Sequence, residues 1–277
     1  MTTLVVAVVA PGNMGAAVGK RLSEHAVEVL TTLGGRSPAS AARASAAGMR
    51  AVSVAHLASA QLLLSIVPPA AALPFAEVMA PSLRAAPRKP VFVDCNAVSP
   101  ETAQRIAAVI EPTGAPFVDA GIIGPPPGAR QPSIYVSGPH ATEVSVLTAH
   151  GLDIRVLEGP VGAASALKMS FAGINKGMIA VATAMALAAT RAGAARELRR
   201  ALAEHEPALL ASLDRKVLDM LPKAYRWVAE MQEISQFVTS EAGGDIYAGA
   251  SQLYQRVARA MADDGSEPQM LRHFFEP

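Results

Sequence analysis

The run Leu4-Val5-Val6-Ala7-Val8-Val9 leads straight into Ala10-Pro11-Gly12-Asn13-Met14-Gly15, and this transition constrains the chain more than any other stretch. An apolar strand that breaks into a glycine turn and then a helix presents backbone N–H groups at a helix N-terminus. The partial positive charge there favours a phosphate. Gly12 lets the backbone approach such a group without an intervening Cβ, and Gly15 lets the helix lie close to the strand it follows. The first glycine of G-x-G-x-x-G is replaced by Ala10. Glycine-rich strand-to-helix turns also occur as plain packing devices, so the motif draws its weight from position: it follows the first strand and precedes a helical stretch from Ala16 to Leu22. A G-x-x-x-x-G-K-[ST] phosphate loop is excluded, because Met14 stands where that motif needs glycine and Arg21 where it needs Ser or Thr.

Apolar runs alternate with helical stretches through the first half. The pattern predicts strands over 4–9, 27–33, 61–67, 91–94 and 117–120, and helices over 14–22, 38–47, 71–83 and 100–110. Strand–helix alternation with near-continuous apolar strands means an α/β fold with a doubly wound parallel sheet. Edge strands are expected over 133–137 and 154–157. The run Gly124-Pro125-Pro126-Pro127-Gly128 reads as an ordered turn or a lid.

After Gly159-Pro160 the character changes. One long helix is expected from Ala163 to about Ala192, without charge between Lys176 and Arg191. That stretch is shorter than the ~20 residues a bilayer requires, so its expected place is inside protein, and its Ala, Gly and Met content permits close helix–helix approach. The remainder is amphipathic and helical. The expected domains are therefore 1–160, a dinucleotide-binding sheet, and 161–277, all-helical.

Charge and cysteine usage narrow the class. A net charge of +1 over 277 residues gives no electrostatic case for nucleic acid or an acidic membrane surface. The single cysteine, Cys95, precludes an intrachain disulfide framework and suits a reducing, cytoplasmic compartment. No basic segment precedes the first apolar run, so a signal peptide is not expected. Residues 51–76 lack Lys, Arg, Asp and Glu, yet Pro68-Pro69 and Pro74 argue for two short elements rather than a membrane span. The six histidines have no metal-ligand spacing, and no metal is expected.

The second strand runs out into Gly34-Gly35-Arg36-Ser37 with no carboxylate at its tip. An Asp or Glu there would bind a ribose 2′-hydroxyl, whereas Arg36 can pair bidentately with a 2′-phosphate while Ser37 donates to it. The alternative is a solvated arginine in a surface loop. NADP is thus favoured over NAD.

Three further segments carry chemistry: Asp94-Cys95-Asn96-Ala97-Val98-Ser99-Pro100, Asp119-Ala120-Gly121-Ile122-Ile123-Gly124, and Gly162-Ala163-Ala164-Ser165-Ala166-Leu167-Lys168 followed by Asn175 and Lys176. With the glycine turn they resemble the β-hydroxyacid dehydrogenase family, which includes 6-phosphogluconate dehydrogenase and is related to imine reductases. Within it the likeness is to a branch with a divergent C-terminal domain. The resemblance implies that Lys168 is the catalytic lysine of G-x-G-x-x-x-K, and that Asp94 to Pro100 loosely echo D-x-S-T-x-x-P. It also implies a homodimer or larger assembly held by the C-terminal helices. The expected cofactor residues are Gly12, Asn13, Met14, Gly15, Arg36, Ser37, Val67, Pro68 and Asn96.

The departures are informative. In the family's D-A-P-V-S-G-G motif, Ile123 stands at the serine and Pro125 at the second glycine, removing a hydroxyl and an N–H that would hold a carboxylate. The asparagine expected one turn after the lysine is Ala172. Asn175, the expected catalytic companion of Lys168, lies two turns on, on the same face but roughly 10 Å further along the axis. A bulkier or less carboxylate-dependent hydroxy or carbonyl compound is therefore expected, with Ile122, Ile123, Gly124 and Ser99 as substrate contacts between the two domains. A lysine near a cationic ring and partly desolvated is brought toward working pH as acid or base.

Alternatives stand beside each assignment. Lys168 could snorkel to solvent, Asn175 could satisfy its own helix, Ser99 could cap the helix at Pro100, and Cys95 could be an inert buried thiol. Lys176 reads as a surface or interface charge, with a substrate anchor as its alternative. The whole chain could also be an imine reductase, although those relatives typically carry Asp or Tyr at the lysine position. A third reading is a nucleotide sensor that has lost chemistry.

Overall fold

The computed structural model describes residues 3–128, 130–238, 243–263 and 265–276. It divides into one compact unit ending at Met169 and a second beginning at Ser170.

The first unit alternates strand and helix: β1 (Val5–Val9), α1 (Asn13–Ser23), β2 (Glu28–Thr31), α2 (Pro38–Ala46), β3 (Arg50–Ala51), α3 (Val54–Leu57), β4 (Leu62–Ser65), α4 (Pro69–Ala85), β5 (Val91–Asp94), α5 (Pro100–Ile110), β6 (Phe117–Ile123), β7 (Ser133–Ser137) and β8 (Asp153–Val156). Among the described residues the strands form one sheet in the order β3-β2-β1-β4-β5-β6-β7-β8. All pairings are parallel except β6 with β7, which run antiparallel from Asp119↔Ser137 to Ile123↔Ser133. The chain works outward from β1 through β2 to β3, then returns to lay β4 on β1's other side. The switch point therefore lies between β1 and β4, and their carboxyl ends open the crevice where such sheets bind ligands.

Alternation along each strand divides the core. Val6, Val8, Leu64, Val93, Val118, Ala120 and Ile122 face one helical layer, with Ala16, Val18 and Leu22 of α1 packed on them. Ala7, Val9, Leu63, Phe92 and Phe117 face the other, under Met79 and Leu83 of α4 and Ile106 of α5. Burial on both faces is why the strands read as unbroken apolar runs.

The strands lie close to the predicted ranges, while a 3-10 helix over Ala141–His150, between β7 and β8, is not foreseen by the pattern, and two further differences stand out. β3 and α3 are too short to carry a period and were not expected. β6 continues three residues beyond Ala120, because β7 doubles back to pair with its end.

The second unit holds most of α6 (Ala163–Arg191) and then α7 (Ala195–His205), α8 (Pro207–Met220), α9 (Ala224–Phe237), α10 (Gly244–Ala262) and α11 (Ser266–Phe275). Small residues on α6 let α10 approach: a Cβ on Gly173 would stand 3.0 Å from the Tyr247 hydroxyl. Tyr254 of α10, fully buried, donates its hydroxyl to the Lys176 carbonyl at 2.6 Å, with the Trp227 ring edge-on to it at 5.2 Å.

The expectation that α6 lies inside protein needs correcting. Met169, Ala172, Ile179, Ala180, Ala186 and Leu187 are buried, yet Phe171, Ile174, Met178, Val181 and Met185 are exposed, by 47–64%. Their steps of three, four, three and four residues place them on one helix face. By length and composition α6 is also apolar enough to cross a membrane, although 39% of its most apolar stretch is buried within the protein.

Candidate dinucleotide site and the Lys168 helix

The glycine turn sits at the carboxyl end of β1. Gly15 is required by packing: a Cβ there would lie 2.1 Å from the Ala10 carbonyl oxygen. Gly12 is different. It is the N-cap of α1 with φ −71° and ψ −173°, a conformation open to any residue, and a Cβ on it would meet nothing within 4 Å. The glycine at this position keeps space open rather than relieving strain. Helices α2, α3 and α5 begin at Ser37, Ser53 and Ser99, whose hydroxyls accept a first-turn N–H. α1, like α4, has no side-chain cap, so no side chain occupies the N–H groups of Asn13 and Met14. An open glycine position over free helical N–H groups fits a pyrophosphate, so these residues fit a dinucleotide.

Two arginines flank the turn differently. Arg43 of α2 donates its Nε to the Pro11 carbonyl at 3.1 Å and its Nη2 to Ser40 Oγ at 2.9 Å, tying α2 to the turn. Arg36 is exposed at the tip of β2, and its guanidinium makes no hydrogen bond or ion pair among the described residues. Ser37 caps α2, its Oγ accepting from the Ser40 N–H at 3.3 Å.

At the ends of β4 and β5 the polar groups hold one another. Asn96, 3% exposed, accepts the Val67 N–H at 2.7 Å, and its amide donates to Ser65 Oγ at 2.9 Å and to Asp94. Asn96 and Val67 thus shape the turn into Pro68 and α4, with these groups spent on each other. Ser99 is buried and caps α5 through the Thr102 N–H at 3.2 Å, as the capping alternative has it. Cys95 is buried. Desolvation first, then the charges of Asp94 and Asp119, push its thiol well above the ordinary range, so it is an inert structural thiol.

The third segment is built around Asp119, an aspartate whose role sequence reasoning missed. From β6, its Oδ2 accepts the Gly162 N–H, the Ser165 N–H and Ser137 Oγ, each at 3.0 Å, while Oδ1 accepts Ser165 Oγ at 2.6 Å. Ser137 Oγ in turn accepts the Ala164 N–H at 3.0 Å. The N-terminus of α6 is thereby fastened to β6 and β7. Two residues along β6, on the same face as Asp119, Gly121 leaves room for α6: a Cβ there would stand 2.7 Å from the Ala164 carbonyl oxygen and 3.0 Å from Lys168 Cβ. Lys168 is half-buried and makes no hydrogen bond or ion pair among the described residues.

Ile122 does not share this face. Strand alternation turns it into the core beside Ile134 and Val136, 6% exposed, so it cannot line a pocket with Lys168. Ile123 is half-buried and on the Gly121 side. Gly124 adopts φ +125°, where a Cβ would stand 3.0 Å from Pro132, so the proline loop is pinched at its two ends. Asn175 donates to the Phe171 carbonyl at 3.0 Å, within its own helix. Lys176 is not a surface charge. It pairs with Glu230 of α9 and lies 5.0 Å from the Trp227 ring, its side chain 17% exposed.

Comparison with known proteins accords with this geometry. Residues 5–149 match the family described as the NAD binding domain of 6-phosphogluconate dehydrogenase, and residues 189–257 match a domain of unknown function, DUF1932. A 28.5 kDa protein of Methanothermus fervidus is 31% identical over 153 residues, 55% of this chain; the chain spans 59% of the length of that relative. Among solved structures, the conserved protein MTH1747, of unknown function and described as similar to 3-hydroxyacid dehydrogenases, superposes with a TM-score of 0.70. It is 28% identical, covering 93% of this chain and 99% of its own. The Mycobacterium tuberculosis 3-hydroxyisobutyrate dehydrogenase with L-serine superposes at 0.72 over the whole of both chains, at 17% identity, a likeness of fold. With more than half its length matched, the chain belongs to the family of the 6-phosphogluconate dehydrogenase NAD-binding domain.

Proposed function

We propose that the protein is an NADP-dependent oxidoreductase that moves hydride between the nicotinamide and a hydroxy or carbonyl compound, with Lys168 as general acid and base. The observation that carries this is the state of Lys168: its side chain is half-buried, without a partner among the described residues, and mounted on a helix that is fastened to Asp119 of β6 and rests on Gly121. The other lysine of this helix segment, Lys176, is committed to Glu230. The cofactor, when bound, supplies or accepts the hydride. Lys168 takes the hydroxyl proton in oxidation and returns one to the carbonyl oxygen in reduction. Asn13 and Met14 N–H groups bind the pyrophosphate, and Arg36 binds the 2′-phosphate.

The substrate is bulkier or less dependent on a carboxylate than a small 3-hydroxyacid. Ile123 and Pro125 support this, since Ile123 has no hydroxyl and Pro125 no backbone N–H to hold a carboxylate. The protein acts in the cytoplasm as a homodimer. Two copies bury the apolar stripe of α6 and the adjoining groove of about 420 Å³ lined by Met178, Val181, Met185, Leu198, Leu202 and Phe274.

The test is an NADPH and NADP oxidation–reduction assay over hydroxyacids, ketones, aldehydes and a cyclic imine. Turnover of a hydroxy or carbonyl compound is expected. Turnover of the imine alone moves the protein to the imine reductases, and binding of NADPH without turnover of any member leaves a nucleotide sensor.

A further inference from the structure

We infer that Asp119 is the positioning residue for Lys168, setting the lysine's place through the start of α6 rather than by touching it. The inference rests on Lys168 being the acid–base residue.

Asp119 is fully buried, and a buried carboxylate is costly unless its oxygens are satisfied. Here they accept four hydrogen bonds, three of them from Gly162 and Ser165, which lie at the beginning of the lysine's own helix. The remaining donors at that helix start are also accounted for. The Ala163 N–H reaches the Pro160 carbonyl at 3.1 Å, and the Ala164 N–H reaches Ser137 Oγ.

Helices α2, α3 and α5 of the same unit are capped by a serine adjoining the helix, which fixes the helix end but not its place on the sheet. α6 is capped from across the sheet, by a side chain 43 to 46 residues earlier in the chain. Its negative charge meets the positive end of the helix dipole, and Ser137 on the neighbouring strand supplies a second fastening. The helix then runs onto Gly121, with the Ala164 carbonyl and Lys168 Cβ resting where that glycine has no side chain. Two contacts on one strand face thus determine both the axial position and the height of Lys168. Catalytic groups lose about 100-fold in rate when displaced by roughly 1 Å, so the fastening bears directly on turnover.

The experiment compares Asp119→Asn, Ser165→Ala and Lys168→Ala with the wild type, each rate being normalised to NADPH-binding sites titrated by fluorescence. This normalisation removes the loss of folded protein that a purely structural role would cause. Asp119→Asn, nearly isosteric, is expected to lower kcat per site by at least about 30-fold, with the NADPH dissociation constant changed less than about threefold. Ser165→Ala, which removes one of the four hydrogen bonds, is expected to fall between it and wild type. Asp119→Asn turning over within threefold of wild type, beside an inactive Lys168→Ala, overturns the inference alone. If Asp119→Asn does not fold, Ser165→Ala decides, and an unchanged kcat per site in it overturns the inference. Full turnover in Lys168→Ala overturns the acid–base reading and this inference with it.

Discussion

Gly15 lies so close beneath Ala10 that a β-carbon on it would stand 2.1 Å from the Ala10 carbonyl oxygen, whereas one on Gly12 would touch nothing within 4 Å. The two glycines of one turn therefore serve different ends, and substitution separates them. Gly15→Ala forces α1 away from β1, lowering stability by about 1–3 kcal/mol or more and weakening NADPH binding with it. Gly12→Ala costs the fold about 1 kcal/mol, as an alanine at an N-cap does, yet weakens NADPH binding at least tenfold by filling the open position. Thermal melts beside fluorescence titrations of NADPH check both.

The proposed function makes Arg36, exposed in the loop after β2, the contact for a 2′-phosphate. Arg36→Ala is expected to raise the NADPH dissociation constant about 10- to 100-fold, the worth of charge-assisted hydrogen bonds of about 1.5–3 kcal/mol, while leaving NADH binding within a factor of two. Titration with both cofactors gives the ratio. An equal loss for the two would assign Arg36 to the loop alone.

The exposed stripe of α6 predicts an assembly of two chains of 28.6 kDa. Met178→Asp with Met185→Asp places two charges on that face and removes two side chains worth roughly 1.5–3 kcal/mol each when buried. Sedimentation is expected to show the dimer mass for wild type and the single-chain mass for the double variant. A wild-type monomer at micromolar concentration would dismiss the dimer.

The buried thiol and phenol set an alkaline limit. Burial, aided by Asp94 and Asp119, raises the Cys95 thiol, and burial with the Glu230 charge raises the Tyr254 hydroxyl. Folding therefore keeps both protonated where the unfolded chain would release the proton. Stability is unaffected below about pH 8.5, then falls as pH rises through the unfolded thiol and phenol values, by up to about 1.4 kcal/mol per pH unit per group. Urea titrations from pH 7 to 11 check the slope, and Cys95→Ala removes the part that begins near pH 8.5. In the native protein at pH 8, Cys95 resists alkylation.

How much of this was legible in the sequence depends on the range of each interaction. The β1–Gly15 contact was readable because the strand, turn and helix that make it are adjacent in the chain, and the same holds for the long α6, whereas Ser99, expected as a substrate contact with capping as its alternative, is buried and caps α5. Asp119 was not readable as a fastening, since its donors on α6 and at its start lie 43 and 46 residues away, and only the fold brings them together. Ile122 was misassigned because an apolar pair at a strand end does not reveal which member faces the core. The antiparallel pairing to β7 decides that. The apolarity of α6 foretold burial without revealing that one of its faces is left uncovered by its own chain.

The central claim, that Lys168 moves the proton while hydride passes between NADPH and a carbonyl carbon, is tested most directly by isotope transfer. NADPH deuterated at the transferring position is mixed in a single turnover with the carbonyl compound that gives the best rate, and the product is weighed by mass spectrometry. Wild type should deliver one deuterium to carbon, and Lys168→Ala, binding NADPH with unchanged affinity, should deliver it at least about 100-fold more slowly. Equal rates of label transfer in the two proteins, or no label in any product of the wild type, would contradict the account.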